Sequence, residues 1–312
     1  MVMIMSNFEE NRLRIKELEN EILSLKPETI EFRLLTKELN ELKEKTYSNL
    51  SHWDKVLIAR SDDRPKSGDL VKKLFDSFIE FHGDELYAED SSIISGIAYL
   101  KDMPVTVLAQ AKGKDIKESI KRNFGMTSPE GFRKTLRLAK EAEKFHRPIL
   151  TIVDTSGAYP GKGAEERGQA RAIAENLYEF SKLKTPVICI ILSEGGSGGA
   201  LALTVSDHIY MFENAVYSVL SPEGFTSILF KDKVPVAEVA EVMKLTSKDL
   251  VEYGIADEII AEPLGGIRYV SDKFALELKE RLVKKFMELM KLSDDELLKK
   301  RYEKFRKIGS VL

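Results

Sequence analysis

Two clusters of glycine, each set between a run of aliphatic residues and a helical pattern, constrain this chain more than any other feature. The first is DTSGAYPGKGAEERGQ at 154–169 and the second is SEGGSGGA at 193–200. Eight of the 19 glycines fall in these two segments, so they are not scattered turn residues. Each cluster follows a strand-like run, 149–153 or 187–192, and opens a helix-like one, 165–183 or 198–205. Where a strand turns at once into a helix, the first backbone N–H groups of the helix have no intrahelical partner and are free to face an anion. Glycine lets backbone approach such a turn closely. Tight turns alone would explain one such cluster. Two on the same edge of neighbouring units point to a ligand polarised by backbone dipoles.

The rest of the chain supplies the frame. Phe8, Ile15, Leu18, Ile22 and Leu25 are helically spaced, Pro27 interrupts, and Phe32, Leu35, Leu39 and Leu42 resume the spacing, which predicts a helical hairpin over 1–46. Weak periodicity around Trp53, Asp62, Asp63, Pro65 and Gly68 reads as a linker over 47–69. From Leu70 the pattern alternates strand and helix: strands at 93–100 and 105–109, a helix at 130–145, then the two glycine-bearing units. Strand-like runs at 208–212 and 215–220 and a short helix from Pro222 follow. This alternation predicts an α/β domain over 70–291 that closes with a helix at 270–291, and a charged tail over 292–312.

Charge and cysteine content exclude several classes of partner. With 48 basic against 51 acidic side chains and a net charge of −3, no positive excess awaits a nucleic-acid backbone. The single cysteine, Cys189, lies in an apolar run, which excludes an internal disulfide and a cysteine-built metal site. The start MVMIMSNFEENRLR lacks the pattern of a signal peptide, and no segment approaches the roughly 20 apolar residues of a membrane span. A cytoplasmic protein without a bound metal is the expectation.

Other chemistries compete for the same residues. GGSGG at 195–199 matches the nucleophile elbow of a serine hydrolase, with Ser197 as nucleophile. Of the four histidines, His52, His82, His146 and His208, only His208 follows it, with Asp207 adjacent rather than placed in the usual order Ser, Asp, His. GAYPGKG echoes a phosphate-binding loop, but Gly163 stands where Ser or Thr would hold magnesium. Glu165, Glu166, Arg167 and Glu223 are acid-base candidates, although the first two also suit a first helical turn. Lys112, Lys114, Lys117, Lys121 and Arg122 form a basic stretch that either meets CoA phosphates or an acidic carrier, or is a solvated face.

Seven motifs together resemble the carboxyltransferase alpha-subunit family of bacterial-type acetyl-CoA carboxylase. They are RNFGM from Arg122, PEGFRK from Pro129, GAYPG from Gly157, GAEERGQ from Gly163, EGGSGGALA from Glu194, YSVLSPEG from Tyr217 and EPLGG from Glu262. The chain departs from the family pattern at Ala111, Ser156 and Ile267-Arg268. The resemblance implies a crotonase-like spiral of ββα units with an N-terminal helical hairpin and C-terminal helices. It implies transfer of a carboxyl group from carboxybiotin, held covalently on a biotin carboxyl carrier protein, to acetyl-CoA, giving malonyl-CoA for fatty acid biosynthesis. Biotin then supplies the base, and oxyanions develop on both substrates. Gly198 and Gly199 are the matching oxyanion-hole positions facing biotin, while Gly157, Ala158, Tyr159, Pro160, Gly161, Gly195, Gly196, Lys112 and Arg122 match substrate-binding positions. On this expectation a branched side chain at 199 blocks the oxygen's approach without harming assembly.

The implied partners are a zinc-ribbon-bearing beta subunit, in an alpha2-beta2 assembly, together with the carrier protein and biotin carboxylase. Alternatives are a carboxyltransferase for another acyl-CoA such as propionyl-CoA, the Ser197 hydrolase, and a scaffold with a decayed site.

Overall fold

The aliphatic runs gather into one sheet. In the computed structural model, which describes residues 7–310, the strands are β1 Phe78–Glu80, β2 Ile93–Leu100, β3 Met103–Gln110, β4 Ile149–Thr155, β5 Val187–Gly196, β6 His208–Phe212, β7 Val216–Ser218 and β8 Glu258–Ile260. The order across the sheet is β1-β2-β3-β4-β5-β6-β8, and β7 pairs with the end of β5. β1 to β3 are antiparallel neighbours, whereas β3 to β6 and β8 run parallel. All of β4 and the first seven residues of β5 are buried, as parallel strands covered on both faces require. Their unbroken Ile, Leu and Val content follows from that placement, each such side chain contributing about 1.5–3 kcal/mol on burial.

Helices cover both faces. α1 Asn7–Leu23, α2 Ile30–Tyr47, α3 His52–Ala59 and α4 Ser67–Leu74 precede the sheet. α5 Ile116–Lys121 and α6 Pro129–Lys144 follow β3, α7 Lys162–Glu166 and α8 Gln169–Phe180 follow β4, and α9 Ser197–Thr204 follows β5. α10 Pro222–Phe225, α11 Val236–Met243 and α12 Ser247–Glu252 lie between β7 and β8, and α13 Asp272–Leu289 and α14 Asp294–Lys307 come last. No helix among the described residues is long and apolar enough to cross a membrane.

Four segments differ from the sequence reading for identifiable reasons. The stretch 47–69, expected as a linker of weak periodicity, contains a helix: a capping box between Ser51 and Asp54 starts α3, whose Val56, Ile58 and Ala59 are buried. The expected helix over 165–183 is two, because Gly168 takes the left-handed conformation at φ 85° and caps α8 separately. β5 runs four residues beyond Leu192, since Glu194, Gly195 and Gly196 find partners in β7. The charged tail from 292 contains α14, held down by Arg301. That buried guanidinium donates to Asp207 at 2.7 and 2.8 Å and to the carbonyls of Phe180, Leu183 and Thr185. Residues 1–6 and 311–312, the outer ends of the expected hairpin and tail segments, lie outside the described residues.

α1 and α2 share a small core of Phe8, Ile15, Leu18, Leu39 and Tyr47, and Ile58 of α3 joins it. Arg64, just after α3, is buried, donates to the Leu192 carbonyl at 2.7 Å and pairs with Glu262 at 2.7 Å. The segment before the sheet is thus tied to the C-terminal end of β5, where the second glycine cluster begins.

Candidate functional site

Because β4 and β5 are parallel neighbours, the two glycine clusters leave the same edge of the sheet side by side. Gly195 and Gly196 still belong to β5, opposite Tyr217 and Ser218 of β7, and α9 starts with no intervening loop. Ser197 makes this reversal in the left-handed region, at φ 51°. The N-cap Gly196 has no side chain to offer, so the N–H groups of Gly198 and Gly199 in the first turn remain uncapped. They carry the positive end of the helix dipole.

The loop after β4 presses directly on this junction. A Cβ on Gly196 would lie 2.0 Å from the Ser156 carbonyl oxygen, and one on Gly199 only 2.4 Å from the Ala158 nitrogen. Glycine at 199 therefore serves the close approach of two backbones inside the chain. This corrects the expectation for a branched side chain there, which would strike Gly157 and Ala158 before it met a ligand. Gly198 is different: its Cβ would meet only Ile173, at 3.7 Å.

A set of polar side chains locks the first loop to its surroundings. Thr155 Oγ1 donates to the Gly125 carbonyl at 2.7 Å and accepts from the Gly157 N–H at 3.1 Å. Ala158 bridges Thr127, and the Tyr159 N–H donates to the Thr127 carbonyl at 2.9 Å. Gln169 Nε2 reaches both the Thr127 and Tyr159 carbonyls, at 2.8 and 3.0 Å. Pro160 is exposed, and the Tyr159 ring lies across Gly161, so GAYPG forms the rim of the site.

Beside the α9 start opens an apolar pocket of about 300 Å³, lined among others by Ser197, Gly198, Leu201, Tyr217 and Val219. Phe305 and Ile308, from the end of α14 and just beyond it, close its far side. The Tyr217 hydroxyl is 3.0 Å from Thr204 Oγ1, and burial pushes its pKa up to about 12. It is a neutral wall, not a proton donor poised near neutrality.

Lys112 and Arg122 are engaged within the chain. The Lys112 ammonium lies 3.2 Å from Asp154 and hydrogen-bonds Glu194, whose other carboxylate oxygen accepts from Arg60 at 2.7 Å. Burial opposes the charge on Lys112, but Asp154 and Glu194 outweigh it and hold its pKa above the ordinary lysine value. Burial likewise opposes ionisation of Glu194, and Lys112 and Arg60 reverse that, keeping it a carboxylate. Arg122 donates to Glu118 at 2.9 Å and to the Ser91 carbonyl at 2.7 Å. Of the remaining basic stretch, Lys114 pairs with Asp69, while Lys117 and Lys121 are exposed.

The acid-base candidates are distributed differently. Glu165 and Glu166 are exposed in α7, Arg167 pairs with Glu130 at 2.7 Å, and Glu223 accepts from Arg60 at 2.6 Å. Ser197 has the twist of a nucleophile elbow but no base. His52 sits between Glu241 and Asp249, His82 beside Glu89, and His208 beside Asp257 and Glu258, and among the described residues no histidine is hydrogen-bonded to Ser197. Sequence reasoning missed Gln110, Thr155 and Arg60. Gln110 had the plainest signal, a polar residue that closes an apolar strand.

The family model described as "Acetyl co-enzyme A carboxylase carboxyltransferase-like" matches residues 5–309. A carboxyl transferase subunit alpha of acetyl-coenzyme A carboxylase from Oceanobacillus iheyensis is 51% identical over 308 residues, covering 98% of this chain and 96% of the relative. Its counterpart from Alkaliphilus oremlandii is 49% identical over 313 residues, covering 98% and 99%. Among solved structures, a Pseudomonas malonate decarboxylase hetero-tetramer in complex with coenzyme A matches with a TM-score of 0.56 at 17% identity, covering 68% of this chain and 84% of that one. Transcarboxylase 12S matches with a TM-score of 0.53 at 21% identity over 68% of this chain, which spans 41% of that longer chain. At such identities the structures speak for the fold alone, the crotonase-like architecture with a mixed sheet. The near full-length family match and the close relatives show that this chain belongs to the acetyl-CoA carboxylase carboxyltransferase alpha-subunit family.

Proposed function

We propose that this chain is the alpha half of a carboxyltransferase that moves a carboxyl group from biotin, borne on a separate carrier protein, to acetyl-CoA, yielding malonyl-CoA. The observation that carries the reading is the uncapped start of α9 beside an apolar pocket of about 300 Å³. A fused-ring urea on an aliphatic arm needs this combination: apolar walls for its body and backbone donors for its single oxygen. Leu201, Tyr217 and Val219 provide the walls, and the N–H groups of Gly198 and Gly199 provide the donors.

Bound biotin supplies the carboxyl group and the base, so this chain needs no acid-base side chain of its own. Gly198 and Gly199 stabilise negative charge on the ureido oxygen, a contribution worth about 3–4 kcal/mol per donor at comparable sites. Gln110, Thr155 and Gln169 hold the two glycine loops in register, which spares the site reorganisation when charge develops. GAYPG forms the rim toward the second substrate.

The acyl-CoA and its own oxyanion site belong to a beta subunit of related fold bearing a zinc ribbon, in an alpha2-beta2 assembly served by the carrier protein and biotin carboxylase. The test is co-purification with that subunit and assay of carboxyl transfer from biotin to acetyl-CoA and to propionyl-CoA. The paired subunits should carboxylate acetyl-CoA and the isolated chain should not. Transfer by the chain alone, at a rate unchanged on adding its partner, would overturn the reading. Preference for propionyl-CoA would move it to another acyl-CoA.

A further inference from the structure

We propose that Lys112 is a positioning residue for the oxyanion-binding turn, its ammonium clamping together the two strand ends from which the glycine loops leave. The inference rests on the function proposed above for its meaning, but not for its geometry.

Between the paired positions Val153 with Ile191 and Thr155 with Gly195, Asp154 alone on β4 faces Leu192, Ser193 and Glu194 on β5. This irregularity brings a second carboxylate, Glu194, to the same ammonium as Asp154. Lys112 follows β3 by two residues and makes both contacts, to Asp154 at 3.2 Å and to Glu194 by a short hydrogen bond. Asp154 is fully buried, and among the described residues neither of its carboxylate oxygens accepts a hydrogen bond, so the nearby ammonium is its main compensation. Lys66 lies near enough for Asp154 to oppose the effect of burial on its pKa, and it donates a hydrogen bond to the Ser61 carbonyl, with none to Asp154. Glu194 is held from the other side by Arg60, which continues to Glu223.

Without the ammonium, two carboxylates in a poorly solvated crevice repel one another across adjacent strands. Two residues further along each strand, the Ser156-Gly157 backbone presses on Gly196 and leaves no room there for a Cβ. Any opening there displaces the start of α9, and with it the N–H groups of Gly198 and Gly199. A misplacement of about 1 Å at such a site costs on the order of 100-fold in rate. On the function proposed above the acyl-CoA is held by the partner subunit, so the loss falls on turnover.

The experiment compares Lys112→Met, Lys112→Arg and the double variant Lys112→Met/Asp154→Asn in the alpha-beta complex with its carrier. Lys112→Met should lose about 100-fold in kcat with the KM for acetyl-CoA changed less than about two-fold. Lys112→Arg should recover most of the loss, and Asp154→Asn in the Met background should recover part of it by removing the repulsion. Wild-type kcat per folded complex in Lys112→Met, a defect confined to KM, or a double variant no better than the single one would each overturn the proposal.

Amide exchange at 194–200 in the full chain supplies a readout independent of carboxyl transfer. Exchange there should quicken in Lys112→Met and slow again in the double variant. Unchanged exchange refutes the clamp even if the function stands, and the expected exchange pattern in a chain whose complex with the beta subunit shows no transfer activity refutes the function alone.

Discussion

Gln110 Nε2 donates to the Gly199 carbonyl oxygen at 2.7 Å, joining the end of β3 to the first turn of α9 across 89 residues of sequence. Gln110 is fully buried, and so is Gly199, so water cannot replace the bond. Gln110→Leu should cost about 0.5–1.5 kcal/mol in unfolding free energy, because it removes a buried hydrogen bond. Turnover should fall with it, as the α9 start loses an anchor. Denaturant titration and a carboxyl-transfer assay check both; a neutral effect on stability would show that the carbonyl has another partner.

Gly198→Ala and Gly199→Ala should part company although the two glycines are adjacent. A methyl group at 199 collides with the Gly157-Ala158 backbone, and at 198 it meets only Ile173 at ordinary distance. Overpacking of that kind costs about 1–3 kcal/mol, so Gly199→Ala should melt lower and assemble poorly with the partner subunit. Gly198→Ala should melt near the wild type, leaving any loss of turnover to report on access to the donors. Equal melting temperatures would refute the close approach.

Ser197→Ala should keep most carboxyl-transfer activity, because the residue supplies a turn and no base stands beside it. Alanine also accepts the backbone geometry about as well as serine does at φ 51°. A loss of several powers of ten, with labelling of Ser197 by an organophosphonate, would instead place a nucleophile there.

Acid should weaken the tie between Arg64 and Glu262. Burial opposes the Glu262 charge, but Arg64 and the N–H groups of Asn214 and Ile267 outweigh it and hold the pKa below the ordinary 4.5. A folded-state pKa below the unfolded one means that the folded state binds fewer protons. The stabilisation is therefore complete above about pH 4.5 and fades as pH falls through the folded value. Glu262→Gln should cost about 3–5 kcal/mol at neutral pH by leaving the Arg64 guanidinium buried without its counter-charge. The gap to wild type should narrow below about pH 4.5 when unfolding is followed against pH. A gap independent of pH would mean that Glu262 is not ionised in the fold.

Much of this protein was legible before folding was considered. The aliphatic runs at 149–153 and 187–192 read as buried strands, and a glycine cluster after each falls at their C-terminal ends. Seven motifs in register named the family, and the family named the reaction. These features are local, written in residue type and spacing over a few positions, and need no knowledge of what packs against what.

The clamps were decided by tertiary structure alone. Lys112 reads as one lysine in a basic stretch until β3, β4 and β5 align and leave its ammonium between Asp154 and Glu194. Arg60 and Arg64 sit in what the sequence presents as a linker, yet they reach the carboxylates of Glu194, Glu223 and Glu262, as far as 198 residues away. The absence of a side chain at Gly199 reads as room for a ligand until the loop after β4 is seen to occupy that space. Such pairings depend on strand register and on which loops meet over the sheet edge, and both are settled by burial of the whole chain, not by any one segment of it.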